Sequence, residues 1–142
     1  MSRSYVSKEL RKKIAKEARY RCGYCLTVAS IAGYEMDVEH IIPESAGGLT
    51  EEANLWLSCS KCNLHKSDRT QAIDSLTGET ISLFNPREQR WPAHFEWSKE
   101  GDLILGKTAI GRATVKALHL NRTILVTARQ RWVKARLHPP ED

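Results

Sequence analysis

The sequence predicts an α+β fold: a strand–loop–strand–helix core stapled by a four-cysteine metal site, preceded by a helix and followed by a hairpin and further helices. Three observations carry this expectation. Cys22, Cys25, Cys59 and Cys62 form two C-x-x-C pairs separated by residues 26–58. Two apolar, strand-like runs lie between the pairs, parted by a Pro- and Gly-bearing loop. Helical patterns begin and end the chain.

The elements follow in order. SKELRKKIAKEARYRC reads as a helix with Ser7 as its N-cap. Leu10, Ile14 and Ala18 give it an apolar stripe at a spacing of four, and Lys8, Arg11, Lys12 and Lys16 lie largely off that stripe. Those cations either meet phosphates or simply solvate the helix. CGYC follows. A tight C-x-x-C lets two thiolates meet one ion, and two such knuckles complete a tetrahedral Zn²⁺ shell. The gap exceeds that of a minimal zinc ribbon, so a structural zinc would join distant segments around an inserted element. Disulfides fit poorly, because the basic N-terminus lacks the apolar core of a secretion signal.

YEMDVEHII, residues 34–42, reads as a strand, PESAGGLTEEA as a loop, and NLWLS, residues 54–58, as a second short strand. CSKCNLHKSD turns into a helix. FNPREQRWP is a connector. HFEWS and LILGKT flank KEGD as a hairpin. TAIGRATVKALHL and NRTILVTARQRWVKARL read as helices capped by Thr108 and Asn121. The expected division is residues 1–86 for the N-terminal helix and stapled core, and 87–142 for a basic C-terminal extension.

At 41% hydrophobic and 27% charged residues, the 142-residue chain is globular rather than disordered. No apolar run approaches the ~18 residues of a membrane span, so the expectation is a cytoplasmic protein without a membrane partner. The net charge of +5 is unevenly spread. Residues 1–21 carry eight Lys/Arg against two acids, residues 22–86 three against nine, and residues 87–142 eleven against six. Basic flanks suit a polyanion, and an acidic centre suits a divalent cation. No acid occurs between Asp102 and Glu141. There Arg122, Arg129 and Arg136 recur every seven residues and are expected on one helix face, available to a nucleic-acid backbone. Ile124, Leu125, Ala128 and Trp132 would form the packing face.

The polar residues of the centre are ordered too. His40 ends the first strand, Asn54 opens the second, and Asn63 follows the last cysteine. The pattern C-x-x-C…EHIIP…GG…NL…C-x-x-CN-x-x-K, over roughly residues 7–70, resembles the HNH endonuclease family in its zinc-stapled form. The resemblance implies a ββα-metal core and metal-dependent hydrolysis of phosphodiester bonds, with DNA as the substrate. It also implies one structural zinc and one catalytic Mg²⁺ or Mn²⁺.

A neutral histidine suits removal of a water's proton near neutral pH, so His40 is the candidate general base, the role the resemblance also gives it. Glu39 is the favoured carboxylate ligand for the cation. Asp37 is its rival, since strand alternation places both acids on one face. Asn63 takes the family's third motif position, where Asn stands for His, and would give an amide oxygen as second ligand. His65 is either a further ligand or phosphate contact, or an exposed helix residue. Asn54 is placed to hydrogen-bond loop backbone and fix the segment bearing His40. Lys66, one helical turn past Asn63, is expected at a substrate phosphate. Gly47 and Gly48 allow a tight loop. Two other readings compete: a non-catalytic zinc-stapled module that grips nucleic acid through its basic arms, and a protein-interaction adaptor using the Trp-bearing C-terminal region.

Overall fold

The computed structural model describes residues 5–141. They form a mixed α+β structure of three two-stranded antiparallel sheets and six helices, in two units: residues up to Thr70 with Asn85–Glu88, and Gln71–Phe84 with the residues from Gln89 onward. None of the described helices is long and apolar enough to cross a membrane.

The first unit opens with α1, Lys8–Glu17, whose Ser7 cap accepts a hydrogen bond from the Leu10 amide. Ile14 and Ala18 are buried, in keeping with the apolar stripe. A short α2 spans Ala29–Ala32. Strand β1 is Asp37–His40, tighter than the apolar run suggested, and β2 is Leu55–Ser58. They pair antiparallel, Glu39 opposite Trp56 and His40 opposite Leu55. Helix α3, Ser60–Lys66, follows at once, with Cys59 as its N-cap. The order β1–loop–β2–α3 is the stapled core read from the sequence.

The intervening loop holds two short 3-10 turns, Glu44–Ala46 and Glu52–Asn54. Its glycines have separate jobs. Gly47 adopts φ +90°, a conformation that favours glycine. At Gly48 a Cβ would come 1.7 Å from the Ile42 carbonyl oxygen, so only a hydrogen fits.

In the second unit, β3 (Gln71–Ile73) and β4 (Thr80–Ser82) form a hairpin. It is anchored to that unit by Asp74, which takes two hydrogen bonds from Arg112, and by the Phe84 amide on Thr114. These contacts place residues 71–84 with the C-terminal unit rather than within a unit ending at residue 86. Helix α4 is Trp91–His94. The hairpin over KEGD is present as β5 (Phe95–Trp97) paired with β6 (Ile104–Gly106). Helix α5, Ala109–Ala117, is capped by Thr108 as expected. Helix α6, Thr123–Lys134, is not capped by Asn121. That side chain instead bonds both backbone groups of Ile104, closing the edge of β6.

The arginine face needs a larger correction. Arg129 is fully buried. Its guanidinium donates to the backbone oxygens of Leu120 and Asp102 and to the side-chain oxygen of Asn121, and it lies over the Trp97 ring. Positions 122, 125, 129 and 132 form one stripe at alternating spacings of three and four, so Arg129 shares the packing face of Leu125. Ile124, assigned to that face from sequence, is 77% exposed. Arg136 lies beyond the end of α6 with φ +62°, and Arg122 is the N-cap residue with its guanidinium on the His119 carbonyl. The three arginines therefore do not form one solvent-facing row.

Candidate active site

The four cysteines converge. Their sulfurs all lie within 4.8 Å of one another, and each residue is buried and free of disulfide. Cys25 and Cys59 Sγ are 3.7 Å apart. A tetrahedral zinc–thiolate shell spaces its sulfurs by about 3.8 Å, so the cluster fits zinc. The amides of Tyr24 and Cys62 donate to the sulfurs of Cys22 and Cys59, which favours thiolates there. The neighbouring cysteines hold the Cys25 thiol well below its ordinary value, whereas burial pushes Cys22 up. The first knuckle is fixed to the sheet by the Gly23 amide on the Leu57 carbonyl.

The second knuckle leads straight into α3, and this brings Asn63 to the end of β1. Glu39, His40 and Asn63 line one open pocket of ≈ 520 Å³, together with Arg11 of α1 and Glu44. Asp37, exposed at the start of β1, and His65 lie outside that lining.

His40 is held from the loop side. Its Nε2 is 2.7 Å from Thr50 Oγ1 and 3.6 Å from a Glu44 carboxylate oxygen. A ring nitrogen paired with a hydroxyl has its orientation set, and the other nitrogen is left for chemistry. Asn54 secures the loop that carries Thr50. Its side-chain oxygen accepts from the Ile42 amide, and its amide donates to the carbonyls of Ile42 and Leu49, all at 2.9 Å. This is the backbone-fixing geometry expected of Asn54. Gly48 sits beneath it, since a Cβ there would come 2.8 Å from Asn54 Nδ2.

Glu39 is buried. One carboxylate oxygen is hydrogen-bonded by the Tyr24 hydroxyl, from within the first knuckle. The other has no hydrogen-bond partner among the described residues and lies 3.8 Å from Lys66 Nζ. Burial pushes Glu39 up to about 7, against the opposing pull of Lys66 and Tyr24. A buried carboxylate oxygen without a donor is an open position for a hard cation.

Lys66 does not meet the expectation of a phosphate contact. It is 2% exposed and donates to the carbonyls of His40 and Ile41 at 3.2 and 2.8 Å. One turn past Asn63 on α3 is the side facing β1, so the ammonium ties the end of that strand to the helix. Thr50 and Tyr24 were not singled out from sequence. Thr50 is two residues past Gly48 in an unremarkable loop. Tyr24 lies inside a knuckle whose cysteines account for it as a spacer.

Residues 22–69 match the family model of the HNH endonuclease. The chain is 27% identical to the Septu protein PtuB of Bacillus mycoides (strain KBAB4), over 92% of this chain and 53% of that protein. It thus spans about half the length of that curated relative. No solved structure matches it significantly. With the stapled β1–loop–β2–α3 order and the matched motif on the same residues, the segment 22–69 is an HNH endonuclease-family domain.

Proposed function

We propose that this protein is a metal-dependent endonuclease that hydrolyses DNA phosphodiester bonds. The observation that carries the reading is the meeting of Glu39, His40 and Asn63 in one pocket at the junction of β1 and α3. Asn63 joins the adjacent pair Glu39 and His40 because the two knuckles close the β1–β2–α3 unit.

His40 removes a proton from the attacking water. With Nε2 engaged by Thr50, the proton is taken at Nδ1. Asn54 and Gly48 keep the loop in the shape that presents Thr50 to the ring. Glu39 and Asn63 would hold the divalent cation through oxygen, a donor pair that suits Mg²⁺ or Mn²⁺. When bound, that cation supplies Lewis-acid stabilisation of the phosphate and of the leaving 3′ oxygen. The Glu39 oxygen that faces Lys66 without a hydrogen bond would be the one offered to the ion, and Tyr24 fixes the other. The expected ends are a 5′-phosphate and a 3′-hydroxyl. Zinc at the cysteines is structural, and the protein works in the cytoplasm. The match to a Septu protein PtuB along most of this chain supports assigning the chain to the same kind of system.

The test is cleavage of plasmid, single-stranded DNA and RNA across a Mg²⁺, Mn²⁺ and chelator series. DNA cleavage that needs the added divalent ion supports the reading. DNA binding with no cleavage in any metal would instead favour a non-catalytic binding module.

A further inference from the structure

The pocket around His40 is acidic. Glu39 and Glu44 line it, and the cation expected there from sequence, Lys66, is buried beneath it on backbone carbonyls. A phosphodiester entering such a pocket meets like charge, and a metal ion at Glu39 offsets only part of it. The lining holds one positively charged side chain among the described residues, Arg11. It projects from the middle of α1 and is exposed. Among the described residues no side chain pairs with or hydrogen-bonds its guanidinium. Its helix neighbour Lys13, in contrast, is already paired with Glu52.

Arg11 also lines a second groove of ≈ 700 Å³ along α1, with Lys8, Lys12, Lys13 and Lys16 outnumbering the acids Glu9 and Glu35. Positions 8, 11, 12 and 16 fall on one side of a helix. The groove and the pocket therefore share Arg11, which gives a predominantly basic approach to an otherwise acidic site.

We propose that Arg11 is the phosphate-gripping residue of the site: it binds a DNA backbone phosphate beside the scissile one, and the basic side of α1 carries the strand that leads to it. A planar guanidinium suits this task, since it meets phosphate oxygens two at a time. The proposal rests on the nuclease reading for the identity of the strand, but its test does not need cleavage.

Binding of labelled duplex and single-stranded DNA is measured across a salt series with His40→Ala as the parent. The expected result is that Arg11→Ala weakens binding about tenfold and lowers the slope of log K against log salt by about one. Arg11→Lys restores the slope but only part of the affinity. Lys99→Ala, an equal charge change at an exposed residue that lines neither the groove nor the pocket, keeps the parent slope. Placing a neutral methylphosphonate at successive positions reveals one position where the parent loses affinity and Arg11→Ala does not. With the His40 side chain present, Arg11→Ala raises KM and leaves kcat within about twofold. Circular dichroism and zinc content matching the parent exclude misfolding, and Arg11→Gln provides a second neutral variant.

A parent that does not bind DNA at low salt overturns the proposal. So does an Arg11→Ala variant with parental affinity and slope, even if the protein cleaves DNA. If no metal supports cleavage but the Arg11 effects appear, the phosphate contact stands and the nuclease reading falls.

Discussion

Each unit buries one carboxylate beside one cation, and the two pairs are built differently. In the second unit, Asp74 receives two hydrogen bonds from Arg112 at 2.9 and 3.0 Å, one from Thr77 and one from the Leu76 amide. In the first unit, Glu39 is bonded by Tyr24 through one oxygen, and its other oxygen faces Lys66 at 3.8 Å without a hydrogen bond. The Arg112 guanidinium holds Asp74 well below the usual carboxylate range. Burial pushes Glu39 up to about 7. A fully bonded carboxylate serves the fold. One left short of donors lowers stability, and it is found where a ligand could complete it.

The largest effect that tests this contrast comes from the first unit alone. Chelating zinc, or Cys62→Ser, should unfold it, because structural zinc contributes on the order of 10 kcal/mol in comparable small sites. The second unit, held by Asp74 and Arg129, should keep its protection in hydrogen exchange. Simultaneous loss of protection in both would break the contrast.

Next come the pH profiles, which should run in opposite directions. Asp74 has a depressed folded-state pKa, so its contribution is present above the unfolded value near 3.9 and is lost as pH falls below it. Arg112→Ala should therefore destabilise the second unit at pH 7 and matter progressively less in acid. Glu39 has a raised pKa, so the fold favours its protonated form. Stability is highest below the unfolded value near 4.5 and is lost as pH rises to about 7. Without added divalent ions, Glu39→Gln should stabilise the first unit by on the order of 3 kcal/mol at pH 8 and hardly at all at pH 4.5. Thermal melts at the two pH values decide this; a variant less stable than the parent at pH 8 would show that the carboxylate is satisfied as it stands.

Thr50→Val should remove the partner of His40 Nε2 while keeping the shape of the loop. Cleavage should fall about tenfold in kcat, and Thr50→Ser should recover most of it. Smallest is Lys13→Ala, whose exposed, solvent-screened pairing with Glu52 should leave the melting temperature nearly unchanged.

The first unit was largely legible because its constraints are chemical and local. Four thiols at C-x-x-C spacing admit few arrangements, and EHIIP, GG, NL and CN fix the order of β1, loop, β2 and α3 around them. Direction was harder to read. Lys66 follows Asn63 at a spacing that reads as exposed, yet the helix turns that position onto β1, where the carbonyls of His40 and Ile41 need a donor. In the second unit the seven-residue arginine repeat suggested a solvent face, but the same spacing describes the buried stripe through Leu125. Arg129 occupies it because the Leu120 and Asp102 carbonyls accept its protons. Thr108 was readable as a cap, whereas Asn121 was claimed by the edge of β6, a partner 17 residues away that no local pattern announces. No element was read in residues 71–84, and the attachment of their hairpin through Asp74 to Arg112 depends on a contact 38 residues distant.

The central claim is that His40 acts on a water at a cation held by Glu39 and Asn63. It is tested most directly by single-turnover cleavage of a labelled DNA by zinc-loaded protein with Mn²⁺ or Mg²⁺, comparing the wild-type chain with His40→Ala at equal zinc content. The account predicts metal-dependent cleavage by the former and its loss, by at least about a hundredfold, in the latter. Equal cleavage by the two proteins would contradict it.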